Sequence, residues 1–391
     1  MISIEELRKR KIYLYGIGKL GKKNLEQLRF FQIEVQGILV SEEKNLPGSY
    51  QGIAIEKFGK RPIPKDALVL VNVPQKAIEE VSNKLIAQKV DYLVWNTQNL
   101  EELWLQAEHR FDDRRQYKDK VLFILAGYKE FLWDKVFKRV EKYVPKDTEV
   151  CILSAGLRNE RLERMAADRN WSYLSTSINS VTLIQNIAYS KYSDYNWIYK
   201  MDEDIFLTEN VLSKLFDAYE RIEKNEPYHI GVVAPLIPLN EHCCRYVLEK
   251  FGCLEDFEKR YGNLFFGGDG MLINTVDIAP YLWGKYETVP DIDTMNERCQ
   301  DDKSFSLCAT RFNIGLIMFN RSLWEDMYGF SVSGGTDLGA DEEEMCAWCT
   351  VMSRPIIVSH DTLAGHFSFV PQEENMRQFF DKSKERVKEL N

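Results

Sequence analysis

The sequence lacks several features that would narrow its role at once. Its 391 residues carry no basic excess: acidic residues outnumber basic ones 60 to 51, a formal net charge of −9 at pH 7. A chain that tracks nucleic-acid phosphates normally shows a basic face, so nucleic-acid binding is disfavoured. No apolar run is long enough to cross a bilayer, and the first residues, M-I-S-I-E-E-L-R-K-R-K, contain no apolar signal region. The expected location is the cytoplasm, with at most peripheral association at the inner face of a membrane. Histidines number only five, and the eight cysteines are scattered. Cys346-x-x-Cys349 is the one metal-like spacing; without a second pair it reads as two reduced thiols one turn apart on a helix. Repeats and low-complexity tracts are absent.

What is present describes a folded globular chain, 45% hydrophobic and 28% charged, and long enough for two domains of unequal size. K-I-Y-L-Y-G (11–16) is a strand that enters Gly16-Ile17-Gly18-Lys19-Leu20-Gly21 and then a helical pattern. With further strands at 34–40, 67–73 and 92–95 and a helix at 76–88, this predicts a small Rossmann-like parallel sheet over 1–99. A charged helical stretch over 100–120 reads as a connecting helix. A second α/β series over 121–391 has strands at 121–126, 149–154 and 197–201, and helices at 130–143, 158–169 and 182–191. Later strands are expected near 230–234, 270–273, 315–319 and 355–358, with 276–311 as an insertion.

The strand at 197–201 runs into Asp202-Glu203-Asp204 before an apolar Ile205-Phe206-Leu207. Three like charges flanked by apolar residues need either water or a cation to hold them together. In an extended chain Asp202 and Asp204 face one way and Glu203 the other, which makes Glu203 the most replaceable of the three. Two carboxylates on one side can share Mg²⁺ or Mn²⁺, ions that complete their shells with substrate phosphate oxygens. An isolated triplet of this kind is better explained as a solvated acidic turn.

The stretch Val181 to Leu207, with Asn186 and Ala188 on a helix and Y-N-W-I-Y-K-M before the carboxylates, resembles the segment ending in the DxD motif of GT-A fold glycosyltransferases. Three further stretches extend the resemblance over about 121–370. F-N-I-G-L-I-M-F-N-R-S-L-W-E-D-M-Y-G-F (312–330) looks like an acceptor-side element. Ala340-Asp341-Glu342-Glu343-Glu344-Met345 stands where inverting, family 2-like members carry an acidic helix start. Gly365-His366-Phe367 stands where many carry a histidine on the metal.

The resemblance implies a metal-dependent transfer of a sugar from a nucleotide-sugar donor to a hydroxyl of a saccharide or lipid-linked saccharide acceptor, in bacterial surface polysaccharide or glycoconjugate synthesis. Asp202, Asp204 and His366 would hold Mn²⁺ or Mg²⁺. Glu342, with Asp341 as the alternative, would be the general base of an inverting reaction. Tyr128, Arg158, Asn186 and Glu203 would lie on the donor side. Gly268 and Asp269, or Gly315 and Asn320, would lie on the acceptor side.

Two rivals stand beside this reading. Asp291-Ile292-Asp293 is a second DxD, and His360 a second histidine. Gly16, Gly18 and Gly21 fit the dinucleotide-binding G-x-G-x-x-G with the required strand before and helix after. They would serve an NAD(P)-dependent sugar-modifying enzyme, or simply a tight turn; a non-catalytic sugar- or nucleotide-binding protein is the other alternative function.

Overall fold

The computed structural model describes residues 2–42, 47–156, 158–267, 270–332 and 339–382. The expected mixed α/β architecture with parallel-rich sheets is observed. Contacts divide the chain into two compact units, Met1–His109 with Thr176–Ser193 and Trp324–Leu338, and Arg110–Ser175 with Asp194–Leu323 and Gly339–Asn391.

The first unit holds a six-stranded sheet. Its strands are β1 (Lys11–Tyr15), β2 (Val35–Val40), β3 (Ser49–Tyr50), β4 (Ile53–Lys57), β5 (Ala67–Val71) and β6 (Tyr92–Val94), in the order β3-β4-β2-β1-β5-β6. All pairings but β3 with β4 are parallel. The run A-L-V-L-V of β5 is wholly buried, as expected for a parallel strand covered on both faces.

This unit departs from the linear partition expected at 99 and 120. The later segments Thr176–Ser193 and Trp324–Leu338 cluster with the early chain because buried side chains tie them together. Asn186 Nδ2 donates to Phe330 O (2.8 Å), its Oδ1 accepts from Trp324 Nε1 and Phe330 N, and the Trp104 and Trp324 rings lie 5.5 Å apart. No single helix spans 100–120: a helix Thr97–Trp104 ends there, and His109–Asp112 is an edge strand, β7. The charge on that stretch reflects a sheet edge rather than a solvated helix.

The second unit is built on a nine-stranded sheet. Beyond β7 its strands are β8 (Lys120–Leu125), β9 (Thr148–Ser154), β10 (Ser172–Thr176) and β11 (Trp197–Asp202). After β12 (Ile205–Phe206), which lies outside this sheet, come β13 (Val232–Leu236), β14 (Phe305–Cys308), β15 (Leu316–Asn320) and β16 (Ile356–Leu363). Their order is β14-β16-β13-β15-β11-β8-β9-β10-β7. Strands β10, β9, β8 and β11 are mutually parallel, and β15 runs antiparallel to β11. The chain winds outward from β8 through β9 to β10, then crosses back to place β11 on the other flank of β8. Between β8 and β11 the winding therefore reverses, and in open α/β sheets the crevice beyond the carboxyl ends of such strands is where ligands bind.

Two smaller expectations fail. The apolar run Gly270–Ile273 is not a strand: Gly270, at φ 72°, starts a one-turn helix Met271–Asn274, a segment too short for periodicity to distinguish. The stretch 276–311 is no loose insertion, since it contributes helices Ile278–Leu282 and Ile292–Cys299 and the edge strand β14. Among the described residues no helix is long and apolar enough to cross a membrane.

Candidate active site

Strand β11 ends on Asp202 at the reversal point, where Asp202 is in register with Leu125 of β8 and its N–H donates to Gly315 O (2.8 Å). The chain then turns at Glu203 and Asp204 and re-enters extended structure as β12, paired antiparallel to β17 (Gly365–His366) with Ile205 opposite His366. That turn breaks the simple alternation, and the three carboxylates take separate environments.

Asp204 is buried. Its Oδ2 is ion-paired with Lys129 Nζ and lies 3.3 Å from His366 Nε2. Burial pushes its pKa up, but His366 and Lys129 outweigh this and hold the carboxyl well below the usual range. For Lys129 burial works downward, and Asp204 more than offsets it, so the ammonium is strengthened. His366 Nδ1 lies 3.2 Å from Leu239 O. A carbonyl only accepts, so Nδ1 carries a proton toward Leu239 O, and Nε2 is the ring nitrogen on the Asp204 side.

Asp202 turns elsewhere. Its Oδ1 accepts from Lys200 Nζ at 2.7 Å, and Lys200, buried inside β11, also donates to Ile314 O (3.0 Å) and lies 3.9 Å from Asp341 Oδ2. Burial lowers the Lys200 pKa, but Asp202 and Asp341 raise it on balance. Burial, and secondarily Asp204 and Asp341, push Asp202 up to about 6 against the pull of Lys200.

Glu203 is engaged within the fold. Its Oε2 accepts from Gly127 N (2.9 Å) and Trp133 Nε1 (2.5 Å), and its Oε1 from Tyr128 N (2.9 Å). The carboxylate clamps the loop that leaves β8. Through that clamp the Tyr128 backbone is fixed beside the triplet while its ring stays 68% exposed.

The remaining expected residues divide. Asp341 and Glu342 lie in the first turn of helix Ala340–Val351. Asp341 joins Asp202 across Lys200, whereas Glu342 accepts from Arg311 Nε (2.6 Å) and Ile314 N (3.3 Å) and so buttresses the loop before β15. Of the two, Asp341 is the one beside Lys200 and Asp202. Gly315 packs against the site, since a Cβ there would stand 2.8 Å from Ile205 Cδ1. Asn320 does not reach it: opposite Trp197 at the far end of β11, it lies about 17 Å away along the strand.

Asn186 is engaged within the first unit, as described above. Arg158 pairs with Glu163 through Nε at 2.9 Å. Gly268 and Asp269 lie outside the described residues. Gly16, at φ 104°, and Gly21 are tight, a Cβ on either falling within 2.6 Å of backbone oxygen, while Gly18 caps the helix Lys19–Phe30 with open space around it. The rival DxD serves structure: Asp291 caps helix Ile292–Cys299, and Asp293 is ion-paired with the buried Arg139. His360 bonds Ser304 and Ser306 instead. Cys346 and Cys349 are buried thiols, and burial pushes Cys346 up to about 11.

Sequence reasoning missed Lys129, Lys200, Arg311 and Trp133. Lys200 had a signal, a cation two residues before Asp202 in an apolar strand. Lys129 had none, because its partner is 75 residues away.

Among the described residues no three His, Cys, Asp or Glu side chains converge as a ready-made metal set. Asp204 and His366 do fit a hard or borderline cation as a two-residue site. A carboxylate oxygen and an imidazole nitrogen 3.3 Å apart are donor types suited to Mn²⁺, with other positions left for phosphate and water.

No known family model matches the chain, and no curated protein does. Solved structures similar to it include a mannosyltransferase from Pyrobaculum calidifontis in complex with GDP-Man and Mn²⁺. It is 15% identical, with 81% of this chain and 77% of that one covered and a TM-score of 0.39. GalNAc-T7 with UDP, GalNAc and Mn²⁺ is 11% identical over 89% and 66%, at 0.36. Residues 1–349 of S. aureus TarS are 13% identical over 68% and 71%, at 0.35. At such scores none of these likenesses bears on what this chain binds.

Proposed function

We propose that the second unit is a glycosyltransferase that moves a sugar from a nucleoside-diphosphate sugar to a hydroxyl of a saccharide or lipid-linked saccharide. The observation that carries this reading is the grouping at the sheet's reversal point. Asp204 and His366 approach to 3.3 Å there, while Asp202 and Asp341 share Lys200 beside them. Breaking the bond to a diphosphate develops charge on the leaving phosphate. A divalent ion at Asp204 and His366 would supply Lewis-acid stabilisation of that charge.

The chain's own residues have the remaining roles. The exposed Tyr128 ring, its backbone held by Glu203, offers a face for the nucleotide base. Asp341 is the general base that takes the acceptor proton during attack from the opposite side of the sugar, giving inversion. Lys200 lies between Asp341 and Asp202, 2.7 Å from Asp202 and 3.9 Å from Asp341. A role in bacterial surface polysaccharide or glycoconjugate synthesis, carried out in the cytoplasm at the inner membrane face, belongs to the same proposal and has the weakest support, since only the sequence resemblance suggests it.

The experiment is a panel of nucleotide sugars incubated with the full chain and Mn²⁺, scored for release of nucleoside diphosphate. One donor should be turned over, and Asp204→Asn should abolish that turnover. Equal turnover by Asp204→Asn would defeat the proposal.

A further inference from the structure

Lys129 is not an incidental surface ion pair. Its ammonium lies on Oδ2 of Asp204, the same oxygen that His366 Nε2 approaches to 3.3 Å, and Ser368 O is 3.4 Å from Nζ. Only 16% of the Lys129 side chain and 6% of that of Asp204 meet solvent. A carboxylate so far out of water needs a cationic partner, and here the protein provides one in Lys129.

We infer that Lys129 is the resident counter-ion of Asp204, and that a divalent cation enters between Asp204 and His366 only by displacing it. This rests on the reading of Asp204 and His366 as the cation pair of the proposed transferase. The exchange is feasible on geometric grounds. Lys129 is the residue before helix Glu130–Tyr143, so its four-carbon stem pivots at a helix start, next to Tyr128. Once off Asp204, the ammonium stays at the mouth of the same crevice, where a diphosphate is the complementary ligand.

Two consequences follow. Without metal, the lysine leaves the crevice with a cation of its own, so nucleoside diphosphates bind the metal-free protein measurably. Without nucleotide, the lysine competes with metal, so the protein binds Mn²⁺ weakly until a diphosphate draws the ammonium away.

The test is a Mn²⁺ titration of the full chain without nucleotide, read by the electron paramagnetic resonance signal of free Mn²⁺. Wild type is compared with Lys129→Met, Lys129→Gln and Lys129→Met combined with Asp204→Asn. The Mn²⁺ dissociation constant should fall at least tenfold in both single variants, about 1.4 kcal/mol, and that gain should vanish in the double variant. Unchanged or weaker Mn²⁺ binding in the single variants, or a gain that survives Asp204→Asn, overturns the inference. Lys129→Gln keeps an N–H donor for Asp204 and covers the case in which Lys129→Met fails to fold. Because no nucleotide is used, this failure is separable from failure of the transferase reading, in which no nucleotide sugar is turned over.

Discussion

Trp133 Nε1 donates to Glu203 Oε2 over 2.5 Å, and so a carboxylate in the middle of an acidic triplet faces into the protein rather than toward a cation. Glu203 lies on the far side of the turn from Asp204, and three N–H groups converge on it. The acidity of the triplet thus serves two ends, with Glu203 shaping the loop and Asp204 and Asp202 facing the crevice.

Glu203→Gln places an amide N–H₂ against donors it cannot accept from. Leaving a buried donor unsatisfied costs about 1–3 kcal/mol, so the unfolding free energy should drop by that amount in urea denaturation. A variant as stable as wild type would show that the clamp is dispensable.

The choice of base is tested by Asp341→Asn against Glu342→Gln. General-base catalysis typically contributes about 10²–10⁴-fold. On identification of a donor and acceptor, kcat should fall by that factor for Asp341→Asn with the KM of the donor little changed. Glu342→Gln should instead lower stability modestly through the loop that Arg311 and Ile314 hold. The opposite ranking would restore Glu342 as the base.

Gly315→Ala should destabilise by about 1–3 kcal/mol through overpacking, because the added methyl meets Ile205 Cδ1 at 2.8 Å. Ile205→Val, which removes that Cδ1, should recover part of the loss when the two are combined. Simple additivity in thermal denaturation would mean that the two sites do not touch.

Acid should weaken the second unit through His242. Burial pulls its pKa down to about 4, and it shares the Ser306 hydroxyl with His360, itself lowered by burial. Between about 6.5 and 4 the unfolded chain takes a proton that the folded one refuses. Stability is therefore complete above 6.5 and declines as pH falls, approaching about 1.4 kcal/mol per pH unit for this one group. His242→Asn should flatten the decline in urea titrations at pH 7 and 4.5; an identical slope would show that other groups carry it.

Much of the fold was legible because parallel strands buried on both faces read as apolar runs: β5, β8, β9 and β11 all fall where such runs occur. Asp204 and His366 were brought together in the sequence only by the resemblance, with no local pattern to join them. Their approach depends on β12 pairing with β17 across some 160 residues of chain. Pairings of that range leave no local trace, which also hid Lys129 from view. Asn320 was misplaced for a simpler reason. An antiparallel strand beginning at the site carries its last residue away from it, a matter of register that a motif match ignores. Asn186 was assigned to the donor side by the resemblance alone; in the fold its partners are Trp324 and Phe330.

The central claim is that Asp204 and His366 hold the cation that receives a nucleoside diphosphate. It is tested most directly by thermal unfolding of wild type and Asp204→Asn with UDP, GDP, ADP and CDP, each with and without Mn²⁺. One nucleotide should stabilise the wild type by about 2.7 kcal/mol at a hundredfold excess over its Kd. Mn²⁺ should lower the nucleotide concentration required, and Asp204→Asn should lose that metal dependence. Absence of stabilisation by all four, or the same Mn²⁺ dependence in Asp204→Asn, would contradict the account.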